Sequence, residues 1–294
     1  MGETRQIPTC KGPDPDTRTP RYRAPPGACD AHWHVLGPRA VFPYAPGRAY
    51  TPPDAPSEGL VRLHGILGIE RAVIVHASCH GSDMAVTLDA IARSGGRMRG
   101  VCVVDPGVTD AEFARLHAGG IRGVRFNFVR HLGGMPDLEF FRRVLAQVEP
   151  LGWHAVLHMD AEDIIPLAPV ISGLRIPFVL DHMGRVKARN GLEQAPFRQL
   201  LELMRNPLAW VKICGAERVS SAGAPFRDAL PFARALVELA PDRVLWGTDW
   251  PHPNIAGDMP NDGDLVDLLA EAVEDEALRR RVLVDNPARL YWKD

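Results

Sequence analysis

Eight short apolar runs alternate with amphipathic helical stretches along the whole chain, and this rhythm most constrains the fold. The runs are ACDAHWHV (28–35), RAVIVHA (71–77), RGVCVVD (99–105), IRGVRFN (121–127), HAVLHMD (154–160), IPFVLDH (176–182), LAWVKIC (208–214) and DRVLWGTD (242–249). A doubly wound sheet usually has fewer strands and a glycine-rich phosphate turn, and the sequence contains neither G-x-G-x-x-G nor a Walker motif. The pattern therefore predicts an α/β fold, a parallel (β/α)8 TIM barrel.

Helical signals fill the intervals between these runs. Met84, Leu88 and Ile91 have helical spacing before a glycine, and Thr109 with Glu112 forms a capping-box signature. Further helical patterns cover 136–149, 162–172, 194–205, 225–239 and 262–285. Because residues 1–26 are charged and proline-rich, we predict an extended N-terminal arm over 1–26 and a single barrel domain over 27–294.

Composition and net charge limit the classes of partner that the chain could bind. A net charge of -2 and a pI near 6.6 give no basic stripe for nucleic acid or an anionic membrane, so a small ligand is favoured. The five cysteines are scattered and odd in number, without a C-x-x-C pair, which is typical of reduced thiols in a cytoplasm. The sequence shows neither a signal-peptide core nor 18 uninterrupted apolar residues, so a cytoplasmic location is expected. A homo-oligomer is left open.

Five polar residues fall at ends of predicted strands. His32 and His34 in DAHWHV lie two apart and share one face of the first strand, while His158, His182 and Asp249 follow or end the fifth, sixth and eighth. The carboxyl ends of the strands form the mouth of a barrel, where such enzymes place their chemistry. Each residue alone could be a hydrogen-bonded core group. Together they fit a divalent metal ion with an open position for water.

Basic residues near the same ends indicate an anionic ligand. Arg125 ends the fourth strand, Arg130 and His131 follow it, and Arg218 follows the seventh. A guanidinium donates two parallel hydrogen bonds, which suits a carboxylate or sulfonate. The alternative is that these arginines are solvated or paired with local acidic residues.

Several motifs together resemble the amidohydrolase superfamily, specifically the branch of 2-pyrone-4,6-dicarboxylate lactonases and related lactone hydrolases. They are DAHWHV, HMD after the fifth strand, LDHMGR, WGTDWPHPN, FPYAPGRAYTPPDAP, ASCHG, TLDAIA, VVDPGV, GVRFNF and NPARLYW, and they span nearly the whole chain after about residue 25. The resemblance implies a barrel that opens a small anionic lactone with water. It also implies that Asp249 is the general base. By the same resemblance, the lactone carbonyl or the metal would be bound by His32, His34 and His182, and the rest of the substrate would be contacted by Arg125, Arg218, Ser78 and Tyr50.

Two departures bear on the metal and the substrate. The pyrone lactonases usually carry tyrosine after the fifth strand and work without metal, whereas this chain has His158. Arg130 and His131 stand where Lys and Arg are typical, so a muconolactone-type lactone is as plausible as 2-pyrone-4,6-dicarboxylate. We expect one zinc ion, with a metal-free mechanism as the alternative and His182 holding the attacking water or the carbonyl. The expected ligands are His32, His34, His158 and Asp249.

Two other functions stay open at this point. Other amidohydrolase branches decarboxylate aromatic acids with the same metal ligands, so a metal-dependent decarboxylase of an aromatic or unsaturated acid is the rival enzyme. A noncatalytic barrel that only binds anionic metabolites is the other. Lys212 in WVKIC is predicted to point inward, and pairing with an acidic neighbour is favoured over a carbamylated or Schiff-base lysine.

Overall fold

The eight predicted strands are all present and all parallel. A computed structural model describes residues 7–132, 134, 137–255 and 257–293, with only the backbone of His131. The strands are β1 (Cys29–Trp33), β2 (Arg71–Val75), β3 (Met98–Cys102), β4 (Ile121–Asn127), β5 (His154–His158), β6 (Phe178–Leu180), β7 (Ala209–Lys212) and β8 (Val244–Leu245). They pair in sequence order from β1 to β8, so the predicted (β/α)8 TIM barrel is confirmed.

Helices follow the strands on the outside of the barrel. They are α1 (Ser57–Leu67), α2 (Ala85–Arg93), α3 (Asp110–Ala118), α4 (Leu138–Val148), α5 (Ala161–Ser172), α6 (Ala195–Leu203), α7 (Ala216–Val219), α8 (Leu230–Leu239), α9 (Asp262–Ala272), α10 (Glu276–Arg280) and α11 (Asn286–Tyr291). The prediction of one helix over 262–285 is wrong. The helical segment is interrupted after α9 because the Asp275 carboxylate caps a new helix, α10, by accepting a hydrogen bond from Leu278 N at 2.8 Å.

Backbone bonds beyond β8 bring the first and last strands together. Ala31 N donates to Trp246 O, and Asp249 N donates to His32 O, each at 2.8 Å. The β8 ladder is shorter than the predicted run because Thr248 N donates to the side chain of Asp30, at 3.0 Å, instead of to a strand carbonyl. His32 and Asp249 are thereby fixed side by side.

The buried carboxylate of Asp30 holds the junction between β1 and the segment that follows β8. Its Oδ1 accepts from His32 N at 3.1 Å as well as from Thr248 N, and its Oδ2 accepts from Thr248 Oγ1 at 2.6 Å. His64 of α1 lies 3.2 Å from Oδ2 through Nε2. Since two of these donors are backbone amides of β1 and of the segment before Asp249, Asp30 acts as a backbone clamp.

A small apolar cluster fills the space that the strands enclose. It draws on seven of the eight strands and is completed by side chains from the C-terminal helix α11; its members are Cys29, Ala31, Val73, Val75, Val101, Val156, Val179, Trp210, Leu245, Leu290 and Tyr291. A larger cluster packs the strands against the helices. The polar residues described below therefore lie above an apolar floor.

Residues 7–26 run without helix or strand apart from one bridge between Thr9 and Thr51. They lie along α9, where Arg18 N donates to Asn261 Oδ1 at 3.0 Å and Tyr22 N donates to Asp267 Oδ1 at 2.8 Å. Residues 1–6 lie outside the described part of the chain, and the division into arm and barrel domain stays a prediction. Among the described residues, no helix is both long and apolar enough to cross a bilayer.

Close packing at Gly247 gives a test of the junction. A Cβ at this position would lie 2.4 Å from His32 N and 2.7 Å from Asp30 Oδ1. We expect Gly247→Ala to lower the free energy of unfolding by about 1–3 kcal/mol, the usual cost of overpacking. Gly65→Ala in α1 is the matched control, because a Cβ there meets nothing within 4 Å. Urea titrations of both variants measure the effect, and a loss under about 0.5 kcal/mol for Gly247→Ala would contradict it.

Candidate active site

A cavity opens at the carboxyl ends of the strands and gathers most of the predicted site residues. It is lined by side chains from β4 and β5 and from the segments after β1, β2, β4, β6, β7 and β8: His34, Tyr50, Ser78, Arg125, Leu132, His158, His182, Arg185, Arg218, Asp249, Pro253 and Asn254. His32 lies against Asp249 in the wall and is fully buried.

The carboxylate of Asp249 faces both histidines of the DAHWHV motif. Its Oδ1 lies 3.4 Å from His32 Nε2 and 3.3 Å from His34 Nε2. All three side chains are buried, and neither Oδ1 nor His32 Nε2 makes a well-aligned hydrogen bond within the described residues. The predicted convergence of these three residues on one volume is therefore present.

The tautomer of His34 is set by the backbone. Its Nδ1 lies 2.7 Å from Val75 O, and a carbonyl oxygen can only accept, so Nδ1 carries a proton. A neutral His34 then turns the lone pair of Nε2 toward Asp249 Oδ1, which is also a lone-pair atom. Two lone pairs at 3.3 Å need a proton or a metal ion between them.

The spacing of these three ligand atoms fits a small metal ion. In a tetrahedral zinc site with bonds of roughly 2.0–2.1 Å, neighbouring ligand atoms lie about 3.3 Å apart. The distances from Asp249 Oδ1 to the two imidazole nitrogens match that edge length. All three atoms lie within 4.8 Å of one another, which makes His32, His34 and Asp249 a candidate metal-binding group.

The structure does not bring His158, the fourth predicted ligand, into that group. Its Nδ1 contacts Asn127 Oδ1 at 3.1 Å, and its ring packs 5.5 Å from the ring of His182. Its Nε2 is buried without a hydrogen-bond partner in the described residues. Burial and the nearby guanidinium of Arg125 hold the pKa of His158 well below its usual value, so the ring is neutral at pH 7.

His182 stands on the other side of Asp249. Its Nε2 lies 4.0 Å from Asp249 Oδ2, and its Nδ1 lies 3.3 Å from Cys214 Sγ. Burial holds its pKa well below the usual value, although the negative charge of Asp249 acts to raise that pKa. Both residues have left-handed backbones, with φ of 52° at His182 and 66° at Asp249. Such conformations are uncommon outside glycine and cluster at functional sites.

Arg218 forms an ion pair with the free side of Asp249. Its Nε lies 2.7 Å and its Nη2 2.6 Å from Asp249 Oδ2, and Nη2 also donates to Pro253 O at 3.1 Å. Burial alone would raise the pKa of Asp249, but Arg218, with His182 and His34, holds that pKa well below its usual value. Asp249 is therefore a carboxylate, and its basicity is weakened while Arg218 is paired with it.

A second buried carboxylate, Asp181, occupies the middle of the barrel. Arg125 reaches its Oδ2 at 3.1 Å, and Lys212 Nζ lies 3.1 Å from its Oδ1. His32 Nδ1 is 3.4 Å from the same Oδ1. The Lys212–Asp181 contact confirms the predicted pairing of Lys212 with an acidic neighbour. Asp181 itself is not among the predicted site residues, since only His182 of LDHMG is assigned to the site.

The remaining predicted contacts divide between the cavity and the surface. Tyr50 and Ser78 line the cavity, and burial raises the pKa of Tyr50, so its phenol stays a neutral donor. Arg130 does not line it; its side chain is 77% exposed and lies 3.9 Å from Asp163. The side chain of His131 lies outside the described part of the chain.

Two further groups in or beside the cavity are not among the predicted site residues. Arg185 lines it from the loop after β6 and donates from Nε to Asp160 Oδ1 at 3.0 Å. Beneath Arg218, the buried Glu217 lies 4.0 Å from His252 Nδ1, and His252 Nε2 reaches Asp262 Oδ1 at 3.1 Å. Arg185 lies in HMGR and Glu217 in CGAER, but only the fold shows that Arg185 lines the cavity and that Glu217 contacts both Arg218 and His252.

The amidohydrolase family model matches residues 29–292. A 4-sulfomuconolactone hydrolase of Rhizobium radiobacter is 44% identical over 97% of this chain and 96% of its own length. A 2-pyrone-4,6-dicarboxylate hydrolase of Comamonas testosteroni is 43% identical over 94% of this chain and 93% of its own. A crystal structure of a probable 2-pyrone-4,6-dicarboxylic acid hydrolase from Acinetobacter baumannii, with citric acid bound, superposes with a TM-score of 0.79 at 25% identity, over 91% of this chain and 100% of its own.

Proposed function

We propose, from the premise that this chain belongs to the amidohydrolase family, that it is a hydrolase that opens the ring of a small anionic lactone with water. One observation carries the proposal: a buried carboxylate, Asp249, and a guanidinium, Arg218, are in contact within a single cavity at the barrel mouth. The first can serve a water molecule and the second an anionic substrate. The names of two relatives at 43–44% identity support the same reaction.

The chemistry assigns a role to each side of Asp249. The carboxylate takes a proton from water, the resulting hydroxide attacks the lactone carbonyl carbon, and the ring C–O bond breaks. The released ring oxygen takes up a proton, and the new carboxylic acid loses one at neutral pH. His182 is neutral and lines the same cavity, so it can orient the water or donate a hydrogen bond to the carbonyl oxygen.

Arg218 links substrate binding to the strength of the base. In the free protein it holds the pKa of Asp249 low, and a carboxylate with a very low pKa is a poor acceptor for a water proton. A substrate carboxylate or sulfonate competes with Asp249 for the Arg218 guanidinium. Pairing of Arg218 with the substrate would therefore raise the basicity of Asp249 at the moment when the base is needed.

The basic side chains support a carboxylated or sulfonated lactone, with a muconolactone type or 2-pyrone-4,6-dicarboxylate as the candidates. Arg125, Arg185 and Arg218 all reach the cavity, and Tyr50 and Ser78 add neutral polar groups. Relatives named for a sulfonated and a dicarboxylated lactone support this class. Arg130 and His131 are kept as substrate contacts on sequence grounds alone.

A zinc ion is the proposed cofactor, held by His32, His34 and Asp249, with His158 as the fourth predicted ligand. The matching ligand spacing and the unpartnered atoms His32 Nε2 and Asp249 Oδ1 support it. When bound, zinc would polarise the carbonyl and lower the pKa of a water molecule. The cysteine pattern supports a cytoplasmic location, which stays a proposal.

Decarboxylation of an aromatic acid is the rival reaction and has less support, because the relatives at 43–45% identity are named as lactone hydrolases. Product analysis separates the two. Ring opening adds one water and releases a proton, whereas decarboxylation releases carbon dioxide. A barrel that only binds anions would consume no substrate.

Turnover of a lactone panel tests the reaction. We expect ring opening of 4-sulfomuconolactone, muconolactone or 2-pyrone-4,6-dicarboxylate. The reaction is measured as loss of the ultraviolet absorbance of the ring and as proton release. Asp249→Asn should lower kcat by roughly 10²–10⁴-fold because the base is lost. Asp89→Asn, which removes a carboxylate on the outer face of α2, is the matched control and should keep full activity. No consumption of any lactone would contradict the proposal, and so would an active Asp249→Asn enzyme.

Arginine variants test substrate binding and its link to the base. Arg125→Met and Arg218→Met should each lose about 1.5–3 kcal/mol of apparent binding, the range for a hydrogen bond to a charged group. Arg218→Met should also move the acid limb of the kcat/KM profile to higher pH. The reason is that burial then raises the pKa of Asp249 with its main opposing charge removed.

Two further variants give this comparison its controls. Arg198→Met, on the exposed face of α6, should match the unmodified enzyme. Arg130→Met separates the sequence-based assignment from the exposed position of that side chain, since a true substrate contact would raise KM. Unchanged kinetics in both Arg125→Met and Arg218→Met would exclude substrate binding by these two arginines.

Metal analysis tests the cofactor. We expect about one equivalent of zinc per chain after purification, and loss of activity on chelation with recovery on adding zinc back. Less than about 0.1 equivalents of any transition metal, with activity intact after chelation, would instead leave His32 and His34 as substrate-binding donors.

A further inference from the structure

Lys212 is the most deeply buried cation in the described part of the chain and has no role in the reaction set out above. It ends β7, and its side chain has 0% exposure. Its Nζ lies 3.0 Å from His32 Nδ1 and 3.1 Å from Asp181 Oδ1. An ammonium group has three protons to donate and no lone pair, so Lys212 donates a hydrogen bond to His32 Nδ1 and forms an ion pair with Asp181.

This contact determines where His32 carries its proton. Because Nδ1 accepts from Lys212, a neutral His32 must carry its proton on Nε2. An imidazolium would carry a proton on both nitrogens, so this contact also requires a neutral ring. The proton on Nε2 then points toward Asp249 Oδ1, 3.4 Å away.

A metal ion at this site would require the opposite tautomer. Ligation through His32 Nε2 needs a lone pair there, which moves the proton to Nδ1, where it needs an acceptor. Asp181 Oδ1 lies 3.4 Å from Nδ1 and accepts no well-aligned hydrogen bond from the described residues. His32 thus has two possible partners at Nδ1: Lys212, which opposes ligation, and Asp181, which favours it.

His34 has no such choice. Val75 O fixes its proton on Nδ1 and leaves Nε2 ready to bind a metal ion. Of the two imidazoles that face Asp249 Oδ1, only His32 has both a donor and an acceptor at the distal nitrogen. The metal affinity of the group therefore depends on the competition at His32 Nδ1.

We propose that Lys212 sets the affinity of the His32–His34–Asp249 group for zinc by holding His32 in the tautomer that opposes ligation. The inference rests on the proposed metal site. Removing the ammonium group would let Asp181 Oδ1 accept a hydrogen bond from a proton on His32 Nδ1, as in the carboxylate–histidine–metal arrangement. Asp181 would keep its ion pair with Arg125, so it would not be left without a cation.

Zinc affinity of Lys212 variants is the direct test. Apo-protein is titrated with zinc in competition with a chromophoric chelator, for the unmodified chain, Lys212→Met and Lys212→Arg. We expect Lys212→Met to bind zinc roughly 10- to 100-fold more tightly, the usual size of an effect exerted through a ligand's hydrogen-bond partner. Lys212→Arg keeps a cationic donor and should stay close to the unmodified chain. Equal or weaker binding by Lys212→Met overturns the proposal, as does failure of both proteins to bind zinc.

A measurement on the unmodified chain covers the case in which Lys212→Met does not fold. The ¹⁵N shifts of the His32 ring in metal-free protein should show the Nε2–H tautomer, and zinc should move the proton to Nδ1. An Nδ1–H tautomer in the metal-free protein overturns the role of Lys212. Lactone turnover by the same preparation judges the proposed function separately, so the two failures are distinguishable.

Discussion

The carboxylate of Asp249 is the group on which the rest of the site depends. A buried anion is unfavourable unless charges and hydrogen bonds compensate it, and each face of Asp249 has a different partner. Arg218 holds Oδ2, while His32 and His34 face Oδ1. Since Val75 O holds the proton on Nδ1, a neutral His34 would present a lone pair to that oxygen, and the contact then needs a proton or a metal ion between the two atoms.

Three buried carboxylates, Asp30, Asp181 and Asp249, position the other groups of this site. Asp30 takes backbone amides from both sides of the barrel junction and sets His32 beside Asp249. Asp181 balances Arg125 and Lys212 and lies next to the distal nitrogen of His32. Because each carboxylate already has a cation or a set of donors, loss of one would disturb its neighbours, and effects of single substitutions in this group would not add.

Much of the fold could be predicted because its signals are local. Eight β-branched runs at regular intervals have few other solutions, and all eight became strands. Two of the differences from the prediction have side-chain causes that the pattern does not contain. Asp30 takes the amide of Thr248 and shortens β8, and the carboxylate of Asp275 begins a helix inside the expected 262–285 segment.

The candidate site was predictable only where strand direction fixes it. His32, His34, His182 and Asp249 meet because they stand at ends of parallel strands. Arg130 follows β4 by several residues, and the loop conformation that turns it toward Asp163 has no sequence signature. Contacts such as Lys212 with His32 join residues 180 positions apart and depend on rotamers, which periodicity does not specify.

The ion pair between Arg218 and Asp249 would make an anionic substrate suit the proposed reaction better than a neutral one. A neutral lactone would fill the cavity without competing for the guanidinium, and Asp249 would keep its ion pair and its low pKa. The barrier to proton transfer from water would then stay high even with the lactone bound. In the proposed reaction an anionic group would lower that barrier by drawing Arg218 away, so the interaction that binds the substrate would also activate the base. Discrimination would therefore appear in kcat as well as in KM, because part of the binding energy is used in the transition state.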